Sequence, residues 1–155
     1  MKRLITSGLI AASLLLSGCQ SAYYGAMEKV GYHKRDIMVD RVKDAKESQE
    51  DAQKEFSSAL EEMQALLNHD GGNLEKAYNK AKDEYESAQS AADNVSNRIK
   101  KVEDVAEALF DEWQDEIGEI SKASLRRNSE AKLKETRRAY EQLIKSMHRA
   151  ESKMP

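Results

Sequence analysis

From Arg35 onward, seam residues recur at alternating spacings of three and four. The first series is Arg35, Met38, Val42, Ala45, Gln49, Ala52, Phe56, Ala59, Met63 and Leu66. The second is Leu74, Tyr78, Ala81, Tyr85, Ala88, Ala92, Val95, Ile99, Val102, Ala106, Leu109 and Trp113. A repeat held over this many turns predicts a coiled-coil seam. Between the series lies Asn68-His69-Asp70-Gly71-Gly72-Asn73. Gly71 and Gly72 suit the left-handed conformation that ends a helix. Asn73 suits the cap of the next one, with Glu75 favoured by the dipole in its first turn. The pattern predicts an all-α fold built on a long antiparallel coiled-coil helical hairpin, with helices over about 26–68 and 74–120.

An antiparallel pairing through this turn sets Phe56 opposite Tyr85, Met63 opposite Tyr78 and Val42 opposite Ile99. Alternate layers join Ala59 to Ala81, Ala52 to Ala88 and Ala45 to Val95. Small side chains at these layers let the helices approach closely, and the larger ones fill the layers between. The same pairing extends upstream to Val30 with Phe110, Met27 with Trp113 and Tyr24 with Ile117. One arm from Arg35 to Asn68 would reach about 50 Å at 1.5 Å per residue. Gln49 reads as a register-setting polar residue. Arg35 at a seam position calls for an acid partner, since an isolated buried guanidinium is costly. Glu103 and Glu107 are the candidates.

Charge then changes sign along the chain. Residues 103–119 carry eight acids and no Lys or Arg, whereas 122–138 carry seven Lys or Arg against Glu130 and Glu135. Two readings fit. A turn between Ser121 and Ser129 would fold a basic third helix, about 128–153, onto the acidic end of the second, with Asn128 or Ser129 as its cap. A continuous helix from Asn73 to about residue 150 is the rival, and the helix dipole favours it. The seam favours the turn. It slips after Trp113 and resumes in new phase at Leu133, Tyr140, Leu143, Met147, Ala150 and Met154. That stripe must pack on the hairpin or on another chain.

The amino end places the protein. Met1-Lys2-Arg3 is followed by an uncharged run from Leu4 to Leu16, then Ser17-Gly18-Cys19. A basic start with a short apolar core describes a secretory signal, too short for the roughly 20 residues of a membrane span. Cys19 is the only cysteine, so it has no internal disulfide partner. Leu16-Ser17-Gly18-Cys19 resembles a bacterial lipobox. The resemblance implies cleavage before Cys19, a diacylglycerol on its thiol and an acylated amino terminus. Two or three acyl chains anchor stably where one does not. Residues 1–18 are then a signal peptide and 19–25 a lipidated tether, ahead of a helical domain over 26–155. Gln20, in place of Asp, resembles an outer-membrane address facing the periplasm.

Composition narrows the function classes. The signal takes two of the 25 Lys and Arg and none of the 28 Asp and Glu, leaving a charge of −5. An acidic exported chain is a poor nucleic-acid binder. There is no glycine-rich phosphate loop, His33, His69 and His148 have no metal-ligand spacing, and the one thiol is expected to be acylated. No catalytic residue, metal or cofactor is therefore nominated. The candidate contacts are the basic run with Arg126, Arg127, Arg137 and Arg138, the tip residues Asn68 and His69, and Lys34 near the anchor. Pairing of the basic run with residues 103–119 inside the chain competes with its use as a contact surface. Lys34 could touch lipid head groups.

Tyr23-Tyr24-Gly25-Ala26-Met27-Glu28-Lys29-Val30-Gly31, then His33-Lys34-Arg35-Asp36, resembles the start of the DUF2959 family of proteobacterial lipoproteins. Leu125-Arg126-Arg127, Thr136-Arg137-Arg138 and Ala150-Glu151 add to the match. The resemblance implies an envelope-anchored helical protein and supplies no activity. It also implies more helix beyond the Met-Pro position, so a chain that stops at Met154-Pro155 reads as a fragment. Together these features predict a lipid-anchored, periplasm-facing, non-enzymatic structural or adaptor coiled coil. It would associate with itself or with an envelope protein. The alternative is an accessory or regulatory subunit of an envelope enzyme or transporter.

Overall fold

The structure is a computed structural model that describes residues 23–28 and 33–154. Every element among them is a helix. Residues 23–28 form α1, and the long helices are α2 (Lys34–Leu67), α3 (Leu74–Glu119) and α4 (Ala123–Glu151). The chain divides into two compact units between Ile37 and Met38. Val30 and its expected pairing with Phe110 lie outside the described residues, as do Cys19 and the Leu16-Ser17-Gly18 motif.

In the first unit, the rings of Tyr23 and Tyr24 meet edge to face at 5.5 Å. Lys34 forms an ion pair with Glu28, and its ammonium stands 5.9 Å from the centre of the Tyr24 ring. The expected helix from residue 26 is broken, because His33 is not helical and α2 starts at Lys34. The physical reason is a cap. The His33 N–H donates to the Asp36 carboxylate at 3.3 Å, while its carbonyl accepts from the N–H groups of Asp36 and Ile37. Arg35 is exposed and so avoids the burial that called for an acid partner. Glu103 is taken instead by His148.

The second unit is built from the rest of α2, with α3 and α4. Along α2, pairs such as Lys46–Glu50 at 3.5 Å add local support on the solvent side. The helix stops at Leu67, and Gly72 turns the chain with a φ of 97°. Asn73 then caps α3, its side chain accepting from the Lys76 N–H at 3.0 Å. Three side-chain contacts link α2 to α3: Asp44 with Arg98 at 3.1 Å, Ser58 with Glu84 at 2.8 Å, and Glu62 with Lys80. Residue numbers fall on α3 as they rise on α2.

α3 and α4 pack closely. One core cluster gathers Ala45 and Ala52 of α2, Val95, Ile99 and Val102 of α3, and Met147 of α4. Val42, Phe56, Tyr140, Ile144 and Met154 pack around it. A second cluster joins Ala106, Phe110 and Ile117 to Leu133, with Met38, Trp113 and Tyr140 alongside. The four residues Ile99, Val95, Val102 and Val105 are the largest fully buried side chains, so α3 is the central helix of this unit.

The reversal into α4 is shorter than a turn over 121–129, and it excludes a continuous helix. α3 ends at Glu119, Ile120 and Lys122 are extended, and α4 begins at Ala123. Asn128 and Ser129 lie inside α4 rather than at its cap, and Lys122 caps without a side-chain hydrogen bond. Two extended residues flanking Ser121 reverse the chain. From Ala123 onward nothing in Ala-Ser-Leu-Arg-Arg opposes helix, because Gly and Pro are absent.

Candidate functional site

Arg137 is one of the four arginines singled out in the basic run, and it is exposed while its guanidinium lies over a ring of α3. Its guanidinium lies 4.8 Å from the centre of the Phe110 ring, a cation–π geometry, and it donates to the Phe110 carbonyl at 3.5 Å. Tyr140 meets the same ring edge to face at 5.4 Å. Burial, helped by Glu103, Glu107 and Asp104, raises the Tyr140 pKa and keeps its hydroxyl protonated. Arg126, Arg127 and Arg138 are exposed as well. Arg138 borders a shallow groove of about 390 Å³ with Leu133, Lys134, Arg137, Glu130 and Gln114. The packing of α4 on α3 therefore uses aromatic and aliphatic side chains, with the exposed Arg137 laid over the Phe110 ring.

At the tip, Asn68 is exposed and its N–H donates to the Gln64 carbonyl at 3.1 Å. His69 is half-buried, and its Nε2 has no hydrogen-bond partner. The tip and the basic run come from different parts of the second unit and form no single cluster. Lys34, the remaining candidate, belongs to the first unit and is held there by Glu28. Among the described residues, no group of three or more His, Cys, Asp or Glu could hold a metal ion. No helix among them is long and apolar enough to cross a membrane.

Sequence reasoning missed two features. His148 bridges Glu103 of α3 at 2.9 Å and Glu151 of α4 at 2.8 Å. The Glu103 contact and then the Glu151 contact raise its pKa, while Ser96 and then His148 lower that of Glu151. The i,i+3 spacing of His148 and Glu151 was a legible signal; Glu103 was not. The second feature is a groove of about 670 Å³ between α2 and the end of α4. Gln49, Gln53, Phe56, Ala150 and Met154 are among its walls, and the Gln49 side-chain nitrogen is buried there without a partner. The exposed large apolar residues near the tip are Leu60, Met63, Leu67, Leu74, Tyr78 and Tyr85; that flank residues such as Leu60 and Leu67 need cover is already legible from a two-helix seam.

These arrangements define an all-helical protein whose notable features are surfaces and grooves. The chain belongs to DUF2959, a family described as proteins of unknown function, whose profile matches residues 23–155. Searches of curated proteins and of solved structures found no match.

Proposed function

We propose that the protein is a lipid-anchored, non-enzymatic structural or adaptor element of the bacterial envelope. The lipobox-like Leu16-Ser17-Gly18-Cys19 would fix its amino end to a membrane, the outer membrane facing the periplasm on the reading of Gln20. α2 and α3 would form an antiparallel coiled-coil hairpin that carries contact surfaces away from the lipid, with α4 as its third strand. The pairs Asp44–Arg98, Ser58–Glu84 and Glu62–Lys80 support the antiparallel hairpin, because each steps along both helices in opposite directions.

The observation that carries the functional reading is the exposed apolar set from Leu60 to Tyr85. Contiguous exposed apolar surface in a helical protein marks an interaction site more often than an active site. Photo-crosslinking residues at Asn68 and at Arg126, placed one at a time in living cells, test it. A discrete crosslink to a protein is expected. No crosslink at either position would overturn the adaptor reading for these surfaces. Metabolic labelling with radioactive palmitate tests the anchor: label is expected on the chain and is lost in Cys19→Ser.

A further inference from the structure

The exposed apolar residues near the tip lie in register on one edge of the α2–α3 contact. On α2, the half-buried Phe56 and the exposed Leu60, Met63 and Leu67 follow a four-three-four spacing, and on α3 Leu74, Tyr78 and Tyr85 follow four and seven. Each set is one stripe of its helix. Antiparallel pairing puts Leu67 beside Leu74, Met63 beside Tyr78 and Phe56 beside Tyr85. The opposite edge is closed by Ser58–Glu84 and Glu62–Lys80, and the middle is made by the buried Ala59 and Ala81. Alanine buries the centre of the contact and leaves the large side chains standing on the open edge. Leu67 is 83% and Leu60 57% exposed.

Further from the tip, that edge is not open. There Val42 and Ile99 are packed against Met147, with Ile144 and Met154 of α4 alongside. The covering gives out where α4 ends, at the groove walled by Gln49, Gln53, Phe56 and Met154. The face that accepts a helix over one half of the unit thus runs on, uncovered, over the other half.

Its polar residues point to the occupant. Charged residues make up 34% of this chain, yet the α2 positions beside the ladder, Gln49, Gln53, Ser57 and Gln64, are uncharged, and on α3 the flanking Lys82 and Glu86 pair with each other at 3.5 Å. A face whose few charges are already paired can meet an identical face with little like-charge repulsion. A stretch of about 19 residues is roughly 28 Å long, and two helices side by side are about 20 Å wide. Two such faces together bury about 1,100 Å², just above the roughly 1,000 Å² a specific interface needs.

We propose that a second copy of this chain docks on this face, ladder against ladder, so that the tip halves of two molecules form a four-helix bundle. The proposal deepens the structural reading above by naming the partner and the surface. It is tested without the lipid, so that loss of the anchor and loss of self-association are read separately. The full chain carrying Cys19→Ser has no other cysteine. Sedimentation at about 50 µM is expected to give a dimer. Leu60→Glu with Tyr78→Glu, both at exposed positions, is expected to weaken it at least tenfold with the helical circular dichroism unchanged. A cysteine introduced at Leu60 is expected to form an inter-copy disulfide, and one at Lys54, off the ladder, is not. A monomer at this concentration, or a dimer indifferent to the double substitution, would overturn the proposal. So would a dimer that crosslinks through position 54 and not 60.

Discussion

The Trp113 indole N–H donates to the Ser129 hydroxyl at 2.9 Å, reaching from α3 to the second turn of α4. A hydroxyl that sequence patterns would place at a helix cap is instead the acceptor that positions one helix on the other. Trp113→Phe removes the donor and keeps most of the ring. Each of Trp113→Phe and Ser129→Ala is expected to cost about 0.5–1.5 kcal/mol, and the double variant less than their sum. Urea unfolding of the four-member cycle measures this; strict additivity would show that the two groups do not interact.

Stability should depend on pH through His148. Its contacts with Glu103, and next with Glu151, raise its pKa above 6.5, so the folded state holds the proton more tightly than the unfolded chain. The resulting contribution is complete below about pH 6.5 and is lost as pH rises through the folded value. Glu151 acts in the other direction: its pKa lies below 4.5, and its contribution is lost as pH falls through that lower value. Melting temperatures between about pH 5.5 and 8.5 should fall more for the native chain than for His148→Gln. Parallel profiles would remove His148 from the account.

Ala52 is fully buried where α2 meets α3, in the same cluster as Val95 and Met147. Close packing leaves no room for added methylenes. Ala52→Leu is expected to destabilise by about 1–3 kcal/mol, although leucine is an excellent helix former and would be neutral or favourable on a solvated face. Chemical denaturation distinguishes the two outcomes.

The tip rests on backbone conformation. Gly72 has a positive φ of 97°, which an L side chain rarely adopts, so Gly72→Ala should cost about 1–2 kcal/mol. Gly71, whose φ is not positive and around which an added Cβ meets nothing within 4 Å, should tolerate alanine with little change. Asn73→Ala removes the cap of α3 and is expected to cost about 1 kcal/mol. Thermal melts of the three variants give the order directly.

Periodicity located the interior where two helices meet through small residues. Ala45, Ala52, Ala59, Ala81, Ala88, Ala92, Val95, Ile99, Val102 and Ala106 all occupy the expected seam and are all buried. The same rule put Met63, Leu74, Tyr78 and Tyr85 on the seam, and these are exposed. A heptad says which side of a helix faces a neighbour, not whether a third helix covers the edge of that contact. The break before α2 was hidden because His33 is an uncommon cap whose partner, Asp36, looks like an ordinary surface acid. The start of α4 was hidden because Lys122 caps nothing through its side chain. Of the contact candidates, Arg126, Arg127, Arg137 and Arg138 are all exposed, and the contact of Arg137 with Phe110 could be assigned only in three dimensions. The lipobox-like Leu16-Ser17-Gly18-Cys19 lies outside the described residues and is read from sequence alone.

The turn between α3 and α4 sets both helices against their own dipoles. The last turn of α3 has no basic residue, and the first turn of α4 has no acid. Each end is therefore poorly stabilised as an isolated helix, and its order depends on the other helix lying alongside. This is local frustration resolved by docking. Amide exchange around the reversal would then report separation of the two helices instead of simple end fraying. α4 is in that sense a conditional helix, ordered to the extent that α3 holds it.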